Sequence, residues 1–533
     1  MGLGIIQVNE DHTPGTFQLF DESSAHLSSQ MRYGTGKHAS VLLVPQPSNN
    51  PNDPLNWPQW KKNLIYVVLF ANSIIFSSIP PPVIAPSMVL MSMALKRSIK
   101  DITMLTAYQL LTTACYGPIG SALAHKYGKR PQFIFASVMG FAGTLICCTT
   151  TDNYGILLAG RIIQGFGSAF FVHERSLRTG LLVMTWTCII SLVSILGGAI
   201  AESLGWRYVF IIHLPFTVVG LLSVVFFLPE TQWKGTRPDI LSREAAAQTE
   251  DKEMTKISHG HEENFTESSL TEDSLTESKK TFVQELAIFS GTHTETNLLR
   301  LVFAPFAVII NPAVIWAIAV GGACIGFYVA VSYILAQIWT PPPYNLNASQ
   351  NGTFYVGALI GGMISSVAGP WLGDAIVKKL TTWNKGTYEP EFRIPMMLLS
   401  AVFCGIGWFV FMWDLDNPTP NGYYLGAFCH GCLCCGTTIG MTFANLYILD
   451  AFRENSTEIF ILLMTGKNFI FYGFSQVINT WAEEEGPSDV LKTFGIITMC
   501  LIGTSPLLYI FGKLNRSFMH KTGLMSMLTG YKH

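Results

Sequence analysis

The sequence predicts an all-α membrane protein with twelve transmembrane helices in two six-helix halves. Composition is the first reason: of 533 residues, 49% are hydrophobic and only 13% are charged, whereas about 25% of residues are charged in an ordinary soluble protein. The second is a series of apolar runs of the length, about 20 residues, that a helix needs to cross a bilayer core of roughly 30 Å. The third is that these runs form two equal sets separated by a polar stretch.

Twelve runs meet this length rule, six before residue 230 and six after residue 300. Their approximate bounds are 63–86, 102–124, 131–150, 155–175, 180–202, 207–228, 312–339, 353–375, 394–413, 423–448, 459–481 and 491–512. A helix is expected in each, because lipid offers backbone groups no hydrogen-bonding partner.

The polar stretch between the halves is rich in Glu, Ser, Thr and Lys, as in TEDSLTESKK (271–280). Low hydrophobicity and high charge are typical of a flexible linker without a packed core. The expected organisation is therefore an N-terminal segment (1–62), a six-helix half (63–229), a linker (230–300), a second six-helix half (301–513) and a tail (514–533).

Lys and Arg collect in the turns that follow spans 2, 4, 8 and 10, while most opposite connections are acidic or neutral; the basic residues between 96 and 100 depart from this trend. Basic residues favour the cytosolic side of a membrane. The opening MGLGIIQVNEDH lacks the basic start and apolar core of a cleaved signal, and Ile6 stands where a myristoylation signal requires Ser or Thr. We expect a multi-pass protein of the plasma membrane with the linker and both termini in the cytosol.

With this orientation, two N-x-S/T triplets, at Asn347 and Asn351, lie outside the cell as candidate glycosylation sites. The alternative is chance occurrence, because Asn264, Asn455 and Asn515 form the same triplet on the side assigned to the cytosol.

The eleven cysteines lie in apolar segments and lack the spacing of a secreted disulfide framework. The run CHGCLCCG (429–436) contains metal-ligand residue types, but no second Cys/His cluster is present to complete four-coordination. We therefore expect no metal and no cofactor. The net charge of −2 and the lack of a basic stripe also argue against a nucleic-acid partner.

A repeated segment relates the halves. SALAHKYGKR (121–130) aligns with PWLGDAIVKK (370–379), and we expect both to form the same turn after the second span of their half. Such parallel repeats surround a central cavity in many transporters. The first copy resembles the G-x-L-A-D-R-x-G-R-R signature of the major facilitator superfamily. Further segments resemble its fungal twelve-span drug:proton antiporter branch: DPLNWPQWKKN (53–63), GRIIQGFG (160–167), FFVHERSLRTG (170–180), GWRYVF (205–210), LPET (228–231) and NKGTYEPEFRIP (384–395).

The resemblance implies that the 125–130 turn helps to fasten the halves on the inner side. Gly128 permits a tight reversal, while Lys129 and Arg130 are available to pair with an acid, for which Glu174 is the candidate. His125 stands where the signature has its acid, and the second copy keeps an acid, Asp374. Because a histidine replaces the acid, we expect the closure of the two halves on the inner side to be looser, or to depend on pH through His125. The alternative is that His125 is an ordinary surface histidine.

Arg161 lies near the start of span 4, in a motif that resembles the family's segment for proton coupling. A charge well inside a bilayer costs roughly 2.5–3.5 kcal/mol on insertion scales and normally faces a cavity or a partner; the alternative is a side chain that reaches the outer interface. Gln164 shares its face. Polar groups in apolar helices either line a solute path or bond a neighbouring helix, and the further candidates are Asn72, Gln109, Tyr328, Gln337 and Asn445.

We therefore predict a secondary transporter, expected to be a monomer, that moves a small organic solute across the lipid bilayer by alternating access. No nucleotide-binding motif is visible, so protons are the expected energy source. The resemblance implies efflux of drug-like or secondary-metabolite compounds. Span 5, IISLVSILGG (189–198), lacks the Gly-Pro of the antiporter signature, so uptake of a nutrient or organic cation remains the alternative. A solute-sensing receptor is disfavoured by the short tail, and an enzyme by the lack of clustered catalytic groups.

Overall fold

The computed structural model describes residues 3–6, 13–18, 48, 50–150, 152–173, 179–233, 281–289 and 291–523. Twelve long helical segments occupy the twelve predicted regions. They are α1 (Gln59–Leu95), α2 (Ile99–Tyr127), α3 (Lys129–Thr149), α4 (Tyr154–His173), α5 (Thr179–Ser203), α6 (Arg207–Phe227), α7 (Pro312–Trp339), α8 (Ala348–Trp383), α9 (Pro390–Asp416), α10 (Gly422–Ala451), α11 (Ser456–Ser475) and α12 (Pro487–Thr522).

Eight of these segments in the described part of the chain are both long and apolar enough to cross a membrane. The other four, α2, α4, α5 and α11, have 20 to 29 residues and so reach about 30 Å or more at roughly 1.5 Å per residue. The predicted all-α membrane fold is confirmed. A short helix, Leu298–Ala307, precedes α7 and packs against α2 and α11.

Helix α1 is interrupted by the proline run IPPPVIAP (79–86). A π-helical segment, Ile74–Ser78, leads into the run, and the 3-10 segment Pro82–Ser87 follows. Proline has no backbone N–H, so carbonyl groups one turn earlier lose their helical partner. Side chains of other helices bond two of these carbonyls instead: Ser168 donates to Phe76 O at 2.7 Å and Ser194 to Pro82 O at 3.5 Å. Arg161 donates to a further carbonyl of the same segment, Pro80 O, at 2.9 Å.

The two halves meet through two helix pairs, α2 with α11 and α5 with α8. Helices α2 and α8 are each the second helix of their half, and α5 and α11 are each the fifth. Exchanging the halves therefore converts one pair into the other, as parallel repeats require. We call the end of the bundle that carries the 125–130 turn and residues 384–393 the basic face, and the end that carries residues 96–98 and 340–347 the distal face.

The two copies of the repeated segment differ in structure. Gly128 has φ +99° and separates α2 from α3, whereas α8 continues without a break through Asp374 to Trp383. The expectation that the second copy forms the same turn is therefore wrong. Val377 stands where the first copy has Gly128, and a β-branched residue does not adopt positive φ, so the helix continues to the turn at Lys385 and Gly386.

Residues 13–18 dock on the basic face of the C-terminal half. Strand β1 (Phe17–Gln18) pairs antiparallel with β2 (Thr387–Tyr388), and the rings of Phe17 and Tyr388 lie 4.7 Å apart. The Thr16 hydroxyl donates to Glu389 Oε2 at 2.6 Å. The N-terminal segment is thus attached to the half that is made last.

The buried guanidinium of Arg516, in α12, joins this segment to the bundle. It lies 2.8 Å from carboxylate oxygens of both Glu389 and Glu391, and it donates to Pro14 O and to Thr16 Oγ1. All three charged side chains are 0% exposed. We call this group, Pro14, Thr16, Glu389, Glu391 and Arg516, the clasp.

Candidate functional site

A central cavity of about 350 Å³ lies between the two halves. It contacts five helices of the C-terminal half and four of the N-terminal half. Polar and charged residues that line it include Ser73, Ser77, Thr113, Ser168 and Ser194 from the N-terminal half and Tyr328, Tyr333, Asp374, Arg393, Asn445 and Lys467 from the C-terminal half. Most remaining lining residues are apolar, so the cavity has the character of a site for a small organic molecule.

The halves are in close contact on the distal side of this cavity. The Tyr333 hydroxyl, from α7, donates to Pro81 O, in the α1 break, at 3.0 Å. A Cβ atom added to Gly198 of α5 would lie 2.5 Å from Ala348 O and 3.0 Å from Gly352 Cα. Toward the other end, Asp374 and Arg393 line the cavity near the basic face. The cavity is therefore sealed toward the distal face.

Arg161 lies behind the cavity wall and is 0% exposed. Its guanidinium donates to Pro80 O at 2.9 Å, Gln164 Oε1 at 3.1 Å and Thr106 Oγ1 at 3.0 Å. Thr106 in turn interacts with the Tyr333 side chain. A continuous polar path thus runs from α4 through Arg161 and Thr106 to the distal seal, and Arg161 is buried inside the protein, not extended to the interface.

The other polar candidates of the N-terminal half bond neighbouring helices. Gln164 donates to Thr144 Oγ1 at 2.8 Å, Asn72 to Ser223 Oγ at 2.8 Å and Gln109 to Ser168 Oγ at 3.5 Å. These three candidates are not among the lining residues. Their contacts join α3 to α4, α1 to α6 and α2 to α4.

Two candidates of the C-terminal half, Tyr328 and Asn445, line the cavity. Gln337 lies near the distal end of α7, where it donates to Glu483 Oε1 and accepts from Asn479 Nδ2, each at 2.9 Å. The structure therefore brings Tyr328 and Asn445 together and places Gln337 outside the cavity.

Sequence reasoning missed Lys467, a half-buried residue of α11 that lines the cavity. Its signal was present in MTGKNFIF (464–471), since a lysine near the centre of an apolar span marks a cavity or a partner. Arg393, the other lining cation, forms an ion pair with Asp450 at 2.6 Å. Asp374 is exposed and lies toward the basic face.

Among the described residues, an acid that contacts the 125–130 turn is Glu230, of the LPET segment. Its carboxylate accepts the backbone N–H groups of Lys129 and Arg130, each at 3.1 Å, and so caps the positive N-terminus of α3. Glu174, the candidate partner from the sequence, falls outside the described residues. The His125 side chain is exposed, and its backbone oxygen accepts from Gln232 at 2.8 Å.

The two candidate glycosylation sites differ in exposure. Asn347 is exposed and caps the first turn of α8, accepting from Gln350 N at 2.8 Å. Asn351 is 4% exposed, and its amide donates to Thr340 Oγ1 at 3.0 Å. In the folded chain only Asn347 of this pair presents its amide to solvent.

The CHGCLCCG segment is packed inside α10. The His430 ring stacks on Tyr328, with centroids 5.0 Å apart, and contacts Phe354 and Tyr355. Within the described residues, no group of three or more His, Cys, Asp or Glu side chains is arranged to hold a metal. His430 is thus a member of an aromatic cluster beside the cavity.

Comparison with known proteins gives independent evidence of the family of this chain. The family model described as Major Facilitator Superfamily matches residues 64–456. An uncharacterized MFS-type transporter of Schizosaccharomyces pombe is 23% identical over 559 residues, which cover 96% of this chain and 94% of that protein. The efflux pump dotC of Dothistroma septosporum is 30% identical over 132 residues, 22% of this chain and 23% of the pump. The partially occluded inward-open structure of the xylose transporter XylE from E. coli has a TM-score of 0.53 at 14% identity and covers 85% of this chain and 97% of its own.

Proposed function

The chain belongs to the major facilitator superfamily, and on that premise we propose that it exports small organic solutes in exchange for protons. Its relatives are transporters and not enzymes, so it is a secondary transporter of small solutes. The proposal adds three statements: the direction of transport, the coupling to protons and the sidedness of the chain.

The central cavity is the observation that carries the proposal. It is bounded by both halves, sealed toward the distal face by Tyr333 and Pro81, and lined toward the basic face by Asp374 and Arg393. A solute that enters such a cavity from one side leaves on the other only when the distal contacts open and the basic face closes. Rocking the halves about the two helix pairs, α2 with α11 and α5 with α8, performs this exchange.

Basic side chains support a cytosolic basic face, because Lys126, Lys129, Lys378, Lys379 and Lys385 all lie there. In this orientation the described parts of both terminal segments are cytosolic and Asn347 faces the outside of a plasma membrane. Export then begins from the cavity as it stands, sealed toward the outside.

Support for proton coupling comes from the RIIQG segment (161–165), which resembles the family's segment for proton coupling, and the buried path through Arg161 links this segment to the distal seal. Among the residues that the structure describes, Arg161 donates to neutral oxygens of Pro80, Gln164 and Thr106, and Thr106 contacts Tyr333 at the distal seal. A change in protonation or solute binding that alters this path also alters the contact that holds the distal side closed. The local match to a fungal efflux pump favours export of drug-like or secondary-metabolite compounds over uptake.

Reconstitution in proteoliposomes with known sidedness tests the proposal. With the basic face toward the bath, an acidic lumen and a neutral bath drive an antiporter to accumulate solute inside, whereas a symporter is driven by the opposite gradient. We expect a panel of aromatic and polycyclic solutes to accumulate only with the acidic lumen. Faster accumulation with the opposite gradient would establish uptake. A flux of the same size with either gradient would exclude proton coupling.

A further inference from the structure

Lys467 lies at mid-membrane depth on the cavity side of α11. It is 11 residues past Ser456, the start of the 20-residue helix, and thus about 17 Å along its axis at roughly 1.5 Å per residue. Placing an ammonium at this depth is costly, and such residues mark solute or ion pathways. Its position among the lining residues is therefore a functional signal.

An apolar stripe surrounds this ammonium. Phe460, Met464, Lys467 and Phe471 all line the cavity, and their spacings of four, three and four residues place them on one face of the helix. The solute therefore meets a positive group with a large apolar surface on either side. Such a stripe suits a molecule that has one charged end and an apolar body.

The charges of the cavity favour a negative end. Three charged residues are among its described lining: Lys467, Arg393 and Asp374. Arg393 is already paired with Asp450, and Asp374 is exposed toward the basic face. The second cation near this depth, Arg161, is bonded to neutral oxygens. Two cations, Lys467 at the cavity surface and Arg161 behind its wall, thus lie near the middle of the site.

We infer that the transported solute is an amphipathic organic carboxylate, with its carboxylate held by Lys467 and its apolar body against Phe471 and Met464. This inference rests on the proposed function, since it assigns the solute class of the same cavity. A cavity of about 350 Å³ accommodates a body of one or two aromatic rings. Neighbouring amides of Asn468 and Asn445, which also line the cavity, supply further hydrogen-bond donors.

Matched ligands on the purified full chain in nanodiscs test this inference. Each of three scaffolds, phenylbutyl, naphthylmethyl and indolylpropyl, is offered as the carboxylate, the neutral amide and the amine, and binding is measured by scintillation proximity. We expect the carboxylate to bind at least about 10-fold more tightly than its amide and amine on at least one scaffold. Lys467→Met should weaken that binding by about 10- to 100-fold, the range for losing a charged hydrogen bond, whereas Lys467→Arg should keep it.

Lys100→Met, at an exposed residue near the distal end of α2, is the control and should leave binding unchanged. Size-exclusion profiles confirm that each variant is folded, and Lys467→Gln replaces Lys467→Met if the latter is not. Equal or tighter binding of amides or amines, no binding by any carboxylate, or an undiminished carboxylate preference in the folded variant would each overturn the inference. Those results leave gradient-driven solute flux intact, whereas loss of all flux in the proteoliposome assay defeats the proposed function itself.

Discussion

The Tyr333 hydroxyl and the Pro81 carbonyl oxygen, 3.0 Å apart, join the two halves at the distal end of the cavity. Pro81 belongs to a proline run in which the helical hydrogen-bond ladder is interrupted, and Tyr333 is 1% exposed. This distal contact therefore lies in the segment where α1 departs from regular helix. Arg161 donates a hydrogen bond to Pro80 O in the same segment, so the distal seal and the buried cation are held by neighbouring residues of α1.

Tyr333→Phe should loosen the distal seal without removing the ring. Loss of one hydrogen bond of about 1 kcal/mol shifts the ratio of open to closed molecules by about 5-fold. The measurement is the labelling rate of Ser332→Cys, in a cysteine-free background, by an impermeant thiol reagent added on the distal side. Tyr344→Phe, whose hydroxyl bonds Thr419 O within the C-terminal half, is the control. Equal labelling in both variants would show that the Tyr333 contact does not hold the seal.

Gly198→Val should prevent distal closure and abolish transport. A Cβ atom at residue 198 meets the backbone of Ala348 and Gly352 at 2.5 and 3.0 Å, where no flexible side chain can move aside. Distal labelling of the Ser332→Cys reporter should rise while solute flux falls below detection. Gly473→Val is the matched control, since no atom lies within 4 Å of a Cβ atom added at residue 473. Normal flux in Gly198→Val would mean that α5 and α8 do not seal the cavity.

Arg161→Ala should uncouple or stop transport, because Pro80 O, Thr106 and Gln164 all lose their shared donor. We expect gradient-driven accumulation to fall at least about 10-fold, the effect of losing roughly 1.4 kcal/mol or more. Solute exchange without a gradient should fall less. Arg300→Ala, at an exposed position, provides the comparison. Full gradient-driven accumulation by Arg161→Ala would remove this residue from the coupling path.

Glu230→Ala should destabilise the start of α3, since its carboxylate caps the N–H groups of Lys129 and Arg130. The expected loss is about 1 kcal/mol, as for other helix caps. It is measured as a lower Tm in detergent, with Glu230→Gln, which keeps an acceptor oxygen, losing less. Asp152→Ala, at an exposed residue, should not change the Tm. An unchanged Tm in Glu230→Ala would refute the capping role.

Thr16→Val should release residues 13–18 while leaving the C-terminal half folded. The substitution removes the 2.6 Å bond to Glu389 and the acceptor for Arg516. Hydrogen exchange of residues 13–18, followed by mass spectrometry, should become faster, and exchange in α12 should not. Arg516→Met should have a larger effect, because removing one member of a buried ionic group costs about 3–5 kcal/mol; Lys492→Met, at an exposed position of α12, is its control. Unchanged exchange in Thr16→Val would show that this residue does not retain the segment.

Glu389 should keep its contact with Thr16 across neutral and mildly acidic pH. Burial alone would raise the pKa of Glu389, but hydrogen bonds from Lys513, Thr16 and Arg516 outweigh it and hold this pKa below its ordinary value. A carboxyl with a lowered folded-state pKa contributes its stabilisation above the ordinary glutamate pKa and loses it as the pH falls through the lowered value. The contribution of Glu389 to the hydrogen-exchange protection of residues 13–18 should therefore be constant above the ordinary glutamate pKa and decline only below it. Release near neutral pH would contradict this assignment.

The helix positions could be predicted from the sequence because the bilayer imposes a local length rule. The region 312–339 coincides with α7, where Asn311 and Pro312 begin the helix. Helix α1 was predicted to end at residue 86 yet continues to Leu95, because side chains from other helices satisfy the carbonyls that the prolines leave open. Such partners are distant in the sequence, and no local rule identifies them.

The site was less predictable for the same reason. Polar residues in apolar spans were visible, but only packing separates Asn445, which lines the cavity, from Asn72, which bonds Ser223. Lys467 carried a local signal through its charge. Glu230, which contacts the turn, lies about a hundred residues from Arg130, and no local rule connects the two; Glu174 stays a prediction.

The bond between Thr16 and Arg516 spans 500 residues of sequence. On the ribosome, Thr16 therefore has no Arg516 partner until the twelfth helix has been made. A chain that stops before residue 516, or whose last helix fails to insert, leaves Thr16 with its Glu389 contact but without this second one. Full attachment of residues 13–18 thus depends on completed synthesis of the C-terminal half.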